Sequence, residues 1–592
     1  MAPRKHVVLV ASCMALCWAG PAGTVGQARA AVYVVDRAAP AAADGNPGTE
    51  EKPLRTVQHA ADAAKPGDTV YVMPGRYDER IKVKTSGAKG RPITFQAMPR
   101  RGAIVGGFDL DAGYVRVQGF EITADKPATA VQLRGSHCEV LDNYVHDMME
   151  GVAGTGGNKP PSASGRRDYS TVAHNRIAYN KVYHSEYGFL LNGEDWTVEN
   201  NEVARLFMYA PGRTFDDCDY TRFFGKGCVE RYNYYHGTVT SEIKTAHVDC
   251  IQTFMFSGAM AQDLLFEFNT CFDWGQGAMV ESAPYIGSVR NWTWRHNIYS
   301  SKLPTYKGAW GLDVIQTPDV TIENNTFAGI TWSGVGLRGK ESTNGQIRNN
   351  IFCDAQRAVV DGDRDFTPAK PLVEYNLTFK TAPLADHKNI NDKDPLFVDA
   401  DQRGFRLKKG SPAARAGKAG ATIGALEYPN VYYVDPRHPA AADEPAWGYP
   451  GVPLATLAKA MEVAQAGETV VLRGGLYRET LKPAGDGVTV RAMQGEKVTL
   501  SGADLIEGWQ RAADGSWSAP LAARPKKLLR DGRPWTQFTH DKAAGRITVK
   551  TGGDPRLHLF ETVVREQCVD LAGKKDVRVD GITVLNTLEE LR

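Results

Sequence analysis

Between residues 143 and 376 the chain repeats one short phrase, an Asn followed by two or three mostly apolar, β-prone residues. The eight asparagines are Asn143, Asn175, Asn201, Asn269, Asn297, Asn325, Asn350 and Asn376. Six of the seven intervals between them are 25 to 32 residues long, and one is 68. A period in this range, carried by short strands and turns, is typical of a solenoid. We therefore predict an all-β fold, a parallel β-helix in which a buried Asn at one bend stacks on the Asn of the next coil.

A longer repeat relates residues 32–107 to residues 432–503. In both copies an Ala-rich amphipathic helix, near 55–65 and near 455–465, comes before a strand and a Gly turn. The open end of a solenoid exposes its core and unpaired backbone groups, so a helix at that position acts as a cap. We predict a β-helix with an N-terminal capping helix over 31–428. A second, partial β-helix with an inserted β-rich piece is predicted over 429–592; it is either a short domain or a truncated one.

Three motifs together resemble the right-handed parallel β-helix proteins of the pectate-lyase-like superfamily. They are the capping helix followed by Gly67-Asp-Thr-Val, the Asn-bearing coils, and the ending Asp394-Pro-Leu-Phe. The resemblance covers about residues 32–428 and implies the right-handed β-helix. It does not imply one reaction, because this fold carries lyases, hydrolases, epimerases and phage adhesins.

The first thirty residues have the features of a signal peptide: a basic start, an apolar stretch and the cleavage phrase Ala28-Arg-Ala. Residues 1–30 therefore predict a secreted protein, extracellular or periplasmic, with lipid anchoring at Cys13 as the lesser alternative. No later segment is long and apolar enough to span a bilayer. A net charge of +2 gives no support for nucleic-acid binding. We expect a monomer.

Seven cysteines remain after the predicted signal peptide, so at least one thiol is unpaired or intermolecular. Export makes disulfides possible. Cys218 and Cys228 lie in one irregular stretch, and we predict that they form a disulfide.

The 68-residue interval predicts an insertion over 206–245, rich in aromatic residues. A long loop in a compact repeat array is usually functional, although a brace on the rod is the alternative. Asp216, Asp217 and Asp219 lie within it, and clustered carboxylates are ligands that Ca²⁺ prefers. These three aspartates are the candidate metal ligands, and Ca²⁺ is a possible cofactor.

The phrase His247-Val-Asp-Cys-Ile-Gln252 contains the first candidate catalytic residues. If Ile251 points into the core, Gln252 points outward. The phrase resembles Asn-Thr-Asp-Gly-Ile-Asp of pectin hydrolases, in which two acids flank the glycosidic bond. Asp249 matches the first acid, whereas Gln252 replaces the second and cannot transfer a proton. His247, Asp249 and Gln252 are predicted to be functional, with a hydrogen-bonded polar bend as the alternative.

The following coils offer a second carboxylate, from either Glu281 or Asp313. If the coils stack in register, Arg338 and Lys340 line the same groove, although a slip of one residue would send a side chain inward. For a lyase, a base must abstract the proton next to a uronate carboxyl. Lys244, His247, Arg338 and Lys340 are the candidates for that chemistry.

Three tryptophans, Trp274, Trp310 and Trp332, come just before these strands or begin them. On the edge of a groove they would stack on sugar rings and bind substrate. The equal alternative is an aromatic stack inside the rod.

Together these features predict a secreted carbohydrate-active enzyme that cleaves glycosidic bonds of a polysaccharide bound in the β-helix groove. Hydrolysis is slightly favoured over β-elimination, because acids outnumber bases in the predicted groove. The alternative is a non-catalytic polysaccharide-binding or surface-adhesion protein.

Overall fold

The computed structural model describes residues 30–155, 172–209, 217–254, 259–282, 286–303, 309–362, 366–551 and 553–588. Cys13, Asp216 and all but the last residue of the predicted signal peptide lie outside these ranges. The first 34 strands build a rod in which each turn of the chain adds one strand to each of three parallel sheets, A, B and C.

Successive strands within each sheet are parallel neighbours. Sheet A contains β3 (Gly75–Val83), β5 (Ala103–Leu110), β8 (Thr129–Leu133), β11 (Glu150–Gly154), β14 (Tyr187–Glu194), β17 (Thr221–Lys226), β20 (Asp249–Phe254), β23 (Gly277–Glu281), β26 (Trp310–Ile315), β29 (Ser333–Arg338) and β32 (Arg357–Val360). Sheet B contains β1 (Val32–Val35), β2 (Thr69–Val72), β4 (Ile93–Ala97), β6 (Val115–Gln118), β9 (Glu139–Leu141), β12 (Arg176–Ala178), β15 (Thr197–Glu199), β18 (Val229–Arg231), β21 (Ala261–Glu267), β24 (Val289–Arg295), β27 (Val320–Glu323), β30 (Gln346–Arg348) and β33 (Leu372–Glu374). Sheet C contains β7 (Glu121–Ile122), β10 (Tyr144–His146), β13 (Lys181–Tyr183), β16 (Glu202–Ala204), β19 (Tyr234–His236), β22 (Thr270–Phe272), β25 (Ile298–Ser300), β28 (Thr326–Ala328), β31 (Ile351–Cys353) and β34 (Leu377–Phe379). The predicted all-β, right-handed parallel β-helix is confirmed.

The strands form where apolar residues alternate with polar ones. In β4, Ile93, Phe95 and Ala97 are buried while Thr94 and Gln96 are half-exposed. This period of two sends one face into the rod and the other outward. Residues aligned across coils share the same face, so the core of the rod is a stack of aligned apolar side chains.

The predicted Asn ladder forms at the corner between sheets B and C. In each rung the amide oxygen of one Asn accepts from the backbone N–H of the preceding Asn, as between Asn269 and Asn297 at 2.9 Å. The ladder contains Asn143, Asn180, Asn201, Asn233, Asn269, Asn297, Asn325, Asn350, Asn376 and Asn389. The assignment of Asn175 to the ladder is wrong, because it lies at another corner and accepts from the backbone N–H of Cys138.

Asn233 divides the 68-residue interval into two ordinary steps. The chain around it forms β17, β18 and β19, which pair with the coils on either side. The prediction of an insertion over 206–245 is therefore wrong for the residues of β17, β18 and β19, which belong to a regular coil. Asn233 lies between Tyr232 and Tyr234, a setting that differs from the short apolar phrase of the other rungs. The helix α2 (Thr240–Ile243) is the other regular element of that segment within the described residues.

The predicted Cys218–Cys228 disulfide is wrong, since Cys228 is a buried free thiol. Strand β17 runs between the two residues along sheet A. Its six residues span about 20 Å at 3.3 Å per residue, whereas a disulfide joins Cα atoms about 4.4–6.8 Å apart. Burial in the rod also raises the pKa of the Cys228 thiol.

The last residues of seven consecutive sheet B strands alternate in charge and form a ladder. Its members are Glu199, Arg231, Glu267, Arg295, Glu323, Arg348 and Glu374. Neighbours form ion pairs, for example Arg295 with Glu267 at 2.8 Å and Arg348 with Glu323 at 2.8 Å. Cross-strand charge pairs of this kind stabilise a sheet by about 0.2–1 kcal/mol each.

Substituting Arg295→Glu would place three carboxylates on consecutive rungs of this ladder. We expect the free energy of unfolding at low salt to fall by about 1–2 kcal/mol, because two attractive neighbours become repulsive. Urea unfolding at low and at high salt measures the effect, and salt should reduce it. The neutral variant Arg295→Gln is the control. Equal stabilities of the two variants would contradict the role of the ladder.

The predicted capping helices are present in both copies of the long repeat, as α1 (Val57–Ala63) and α3 (Leu457–Val463). The hydroxyl of Thr56 caps α1 by accepting from the N–H of His59, and Thr456 caps α3 in the same way. The apolar face of α1 joins the core of the rod. The duplication is thus kept at the level of individual hydrogen bonds.

After the last coil the chain forms the antiparallel pair β35 (Phe397–Asp399) and β36 (Gly404–Leu407), with 3₁₀ turns at Ala400–Gln402 and Lys418–Gly420. The second unit repeats a β-helix start. One parallel sheet contains β37 (Val431–Val434), β38 (Thr469–Leu472), β40 (Thr489–Ala492) and β50 (Arg578–Asp580), and another contains β39 (Gly475–Tyr477), β41 (Val498–Ser501) and β51 (Ile582–Leu585).

An antiparallel piece is inserted between these coils, and it includes the 3₁₀ turn Pro555–Leu557. One of its sheets contains β42 (Ala503–Leu505), β45 (Leu528–Arg530), β46 (Arg533–Pro534) and β49 (Phe560–Val563). The other contains β43 (Gln510–Arg511), β44 (Trp517–Pro520), β47 (Phe538–Asp541) and β48 (Arg546–Val549). Across the described ranges, the helices are all too short or too polar to cross a membrane.

Candidate active site

The candidate site lies on the outer face of sheet A, where β20 carries an irregular register. The pairing of β20 with β23 shifts between Asp249 and Gln252. Cys250 and Ile251 are both fully buried, so two successive residues point into the rod. Asp249 and Gln252 therefore share the outer face, and the Gln252 side-chain amide donates to the Asp249 carboxyl at 3.2 Å.

The register aligns polar side chains of neighbouring coils in two rows along this face. Along one row, Arg222 is opposite Gln252, Gln252 opposite Met279, and Met279 opposite Asp313. The second row contains Phe254, Glu281, Ile315 and Arg338. Residues that are 116 positions apart in the sequence thus meet on one face.

Arg222 holds two of the predicted metal ligands. Its guanidinium lies 2.9 Å from a carboxylate oxygen of Asp217 and donates through Nε to Asp219 at 2.9 Å. The same guanidinium lies over the rings of Tyr187 and Phe254, at 5.1 and 5.4 Å from their centroids. Cation and carboxylates form a compact, largely buried ion-pair cluster.

Burial next to like charges favours the protonated form of two carboxyls of this cluster. Desolvation raises the pKa of Asp219 to about 7, against the opposing effect of Arg222, and Asp217 adds to the rise. Burial raises the pKa of Asp249 well above its usual range, and the charges of Asp219 and Asp217 raise it further. Both carboxyls therefore keep a proton to higher pH than an exposed Asp does.

Three buried oxygens of this cluster accept no hydrogen bond from the described part of the chain. They are Oδ1 of Asp219, Oδ1 of Asp249 and Oε1 of Gln252. A buried acceptor without a donor costs about 1–3 kcal/mol. Three such acceptors in one cluster are unusual for a folded protein.

A second pair of carboxyls lies two coils further along. Arg338 donates through Nε and Nη2 to the two oxygens of Asp313, at 3.0 and 2.8 Å, while its guanidinium is 5.0 Å from the ring centroid of Trp310. This two-pronged contact binds Asp313 as a charged carboxylate. Glu281 is half-buried between Phe254 and Ile315 on the neighbouring row.

The pKa of Glu281 is raised, first by burial and then by the charge of Asp313, against the opposing effect of Arg338. Glu281 thus keeps its proton to higher pH than an exposed Glu does. Asp313 has a guanidinium on both oxygens, which favours its charged form. Two neighbouring carboxyls in opposite environments are the usual arrangement for acid/base chemistry.

The three tryptophans have different positions. Trp274 is fully buried, and its indole N–H donates to the backbone oxygen of Trp310, so its predicted position at the groove is wrong. Its ring turns into the core against Tyr299. Trp310 packs beside Trp332 with 6.4 Å between ring centroids, and Trp332 is 39% exposed. Trp332 is the most exposed of the three, with the guanidinium of Arg357 5.3 Å from its ring centroid.

The predicted basic residues other than Arg338 lie at the surface. Lys244 is exposed, and its ammonium donates to the backbone oxygen of Met208 at 3.1 Å. His247 lies 3.8 Å from Asp217 with a half-exposed ring. Lys340 is mostly exposed beside Glu341.

Two of the predicted Ca²⁺ ligands already bind a cation of the chain. Arg222 donates to both Asp217 and Asp219, and Asp216 lies outside the described residues. Within the described ranges, no group of three or more His, Cys, Asp or Glu side chains is arranged to hold a metal ion.

Arg222 was missed by the sequence prediction although its signal is present. Asp219 and Arg222 have the same spacing of three as Asp249 and Gln252, and so do Trp310 and Asp313. In each pair, the two residues between the named ones point into the rod, as Cys250 and Ile251 do in β20. A search for this spacing, coil by coil, would have found it.

Comparison with known proteins gives partial matches. The family model "Protein of unknown function (DUF1565)" matches residues 41–85, which contain the first capping helix. An uncharacterized Bacillus subtilis protein, YwoF, is 29% identical over 131 residues, 18% of this chain and 28% of the relative. Pectate lyase PEL9 of Emericella nidulans is 28% identical over 172 residues, 29% of this chain and 38% of the relative. The chain thus matches well under half the length of these relatives.

Among solved structures, pectate lyase Pel9A is 16% identical, with 68% of this chain and 97% of that chain covered and a TM-score of 0.36. The fold is established by the chain's own three parallel sheets, its Asn ladder and its capping helix. The chain is a right-handed parallel β-helix protein.

Proposed function

We propose that the protein is a secreted enzyme that hydrolyses glycosidic bonds of a polysaccharide bound along sheet A. The observation that carries this proposal is the pair Glu281 and Asp313, two carboxyls on adjacent coils in opposite environments. Glu281 acts as the general acid and gives its proton to the leaving sugar oxygen. Asp313 is the charged partner that stabilises the positive charge of the sugar or activates water.

The geometry of the sheet supports this pairing. Adjacent coils are about 4.8 Å apart, and a two-residue offset along a strand adds about 6.6 Å, so the two Cα atoms lie roughly 8 Å apart. Catalytic carboxyls of glycosidases are about 5–5.5 Å apart in retaining enzymes and about 6.5–9.5 Å apart in inverting ones. From Cα atoms that lie roughly 8 Å apart, two side chains on one sheet face can bring their carboxyl groups to either of these separations.

The unpaired oxygens around Asp249 supply the sugar-binding part of the proposal. Asp219, Asp249 and Gln252 each have a buried oxygen that accepts no hydrogen bond from the described residues. Hydroxyl groups of a sugar are donors of the right kind, and the apolar face of a sugar ring packs on an aromatic ring such as that of Trp332. The sugar chain then crosses the coils from β20 to β29.

Hydrolysis is favoured over elimination by the state of the basic groups. Lys244 and Lys340 are turned to the surface, and Arg338 is bound to Asp313. The name of the relative from Emericella nidulans, a pectate lyase, supports carbohydrate chemistry in general. Secretion rests on the signal peptide predicted from the sequence.

We expect the protein to release reducing ends from at least one member of a panel of acidic and neutral polysaccharides. The products should lack the ultraviolet absorbance of an unsaturated sugar, and a chelator should leave the rate unchanged. An absorbing product would show elimination instead. Binding without product on any polysaccharide would support the adhesion alternative.

A further inference from the structure

A cavity of about 400 Å³ lies where the second unit meets sheet B of the rod. It is separate from the groove, because sheets A and B are different faces of the rod. Contacts between the two units enclose it: the His438 ring is 3.0 Å from the backbone oxygen of Tyr232, and Arg473 donates to Asn200 at 2.8 Å. Both units therefore contribute to one site.

Positive charge dominates this cavity. Its lining contains five cationic side chains, those of Arg176, Arg231, Arg437, Arg473 and Lys497. The two carboxylates of the lining are Glu199 and Glu496. The local balance of 5 − 2 = +3 exceeds the net charge of +2 of the whole chain.

Both carboxylates are already neutralised. Glu199 is bound by Arg176 at 2.7 Å and by Arg231 at 2.9 Å. Glu496 is bound by Arg473 at 2.9 Å. The remaining positive charge belongs to groups nearer the rim of the cavity.

Two cations of the lining lie nearer to solvent. Arg437, whose side chain is 47% exposed, lies over the ring of Tyr179 at 4.4 Å, donates to the Tyr179 hydroxyl and forms a long ion pair with Asp435 at 3.5 Å. Lys497 is exposed and forms no ion pair with the described residues. Guanidinium groups bind carboxylates and sulfates through paired hydrogen bonds, and an ammonium adds a point charge.

We propose that this cavity is a second binding site, for a saccharide that carries carboxylate or sulfate groups. Its volume lies within the range of small-molecule sites, about 300–1,000 Å³. The excess of cations indicates an anionic ligand. That this ligand is a saccharide rests on the proposed function. The site would hold a charged polysaccharide against the rod away from the groove.

Calorimetric titration in a Glu281→Gln background tests this proposal without turnover. The probes are an oligogalacturonate, a sulfated oligosaccharide and an uncharged xylo-oligosaccharide. We expect the anionic probes to show a binding event at the cavity, in addition to any binding in the groove, that weakens with added salt. Arg437→Ala with Lys497→Ala should weaken that event about tenfold or more, and the uncharged probe should not show it.

Arg524→Ala with Lys526→Ala is the matched control, because it removes the same charge from exposed positions outside the cavity. It should change the affinity less than about twofold. Unchanged binding in the Arg437/Lys497 variant, or no binding of either anionic probe, would overturn the proposal. Binding at the cavity without turnover on any polysaccharide would refute the proposed function and leave this site standing.

Discussion

Glu281→Gln is expected to lower kcat on the active polysaccharide by about a thousandfold. A positioned general acid contributes roughly 10²- to 10⁴-fold, and Gln keeps the shape of the side chain but cannot donate a proton to the leaving oxygen. Reducing-end release gives kcat, and binding of the same polysaccharide measured by calorimetry should stay within a few-fold. The retained binding separates loss of chemistry from loss of fold.

The pH profile provides a second readout of the same residue. The pKa of Glu281 is raised by burial and by Asp313, so the acid keeps its proton to higher pH than an exposed Glu. Activity should fall as the pH rises through that pKa, because the ionised form has no proton to give. In Glu281→Gln this limb of the profile should be absent.

Two further variants decide between the neighbouring carboxyls. Asp313→Asn should also lower kcat strongly, because the charged partner is lost and Arg338 loses its two-pronged contact with a carboxylate. Asp249→Asn should mainly weaken substrate binding, since Asp249 is proposed to bind sugar hydroxyls. If Asp249→Asn abolishes turnover and Glu281→Gln retains it, Asp249 is the general acid instead.

Asn297→Ala is expected to destabilise the rod by on the order of 3–5 kcal/mol. The Asn297 side chain accepts from the backbone N–H of Asn269 at 2.9 Å and donates to Phe266 O at 2.8 Å and to Asn325 Oδ1 at 3.0 Å. Ala removes these side-chain bonds and leaves the buried backbone N–H of Asn269 without its acceptor, while Asn325 Oδ1 keeps only the backbone N–H of residue 297. Urea unfolding should show the loss directly.

Asn344→Gly is the matched control for the ladder substitution. Asn344 is an exposed bend residue with φ of 60°, a conformation that Gly adopts freely, and it donates to Asp319 at 2.9 Å. We expect a change of about 1 kcal/mol or less. Similar losses in the two variants would mean that the buried ladder contributes no more than a surface bend.

Periodic features were predictable from the sequence because they are local and repeated. The spacing of Asn269, Asn297, Asn325 and Asn350 indicated the coil, and each coil adds the same corner to the rod. The capping helices followed from an amphipathic pattern with a Thr at the N-cap. The predicted disulfide failed because the chain between Cys218 and Cys228 was assumed to be irregular rather than a strand.

The sequence by itself determined the parallel β-helix, its capped start and the strand that carries Asp249. Only the tertiary structure decided which side chains meet, because the bulge in β20 and the register between coils choose the outward residues. A slip of one residue would have turned Glu281 or Asp313 into the core. The same stacking brought Arg222 opposite Gln252 and turned Trp274 inward, since the packing of the rod sets where each of these side chains ends.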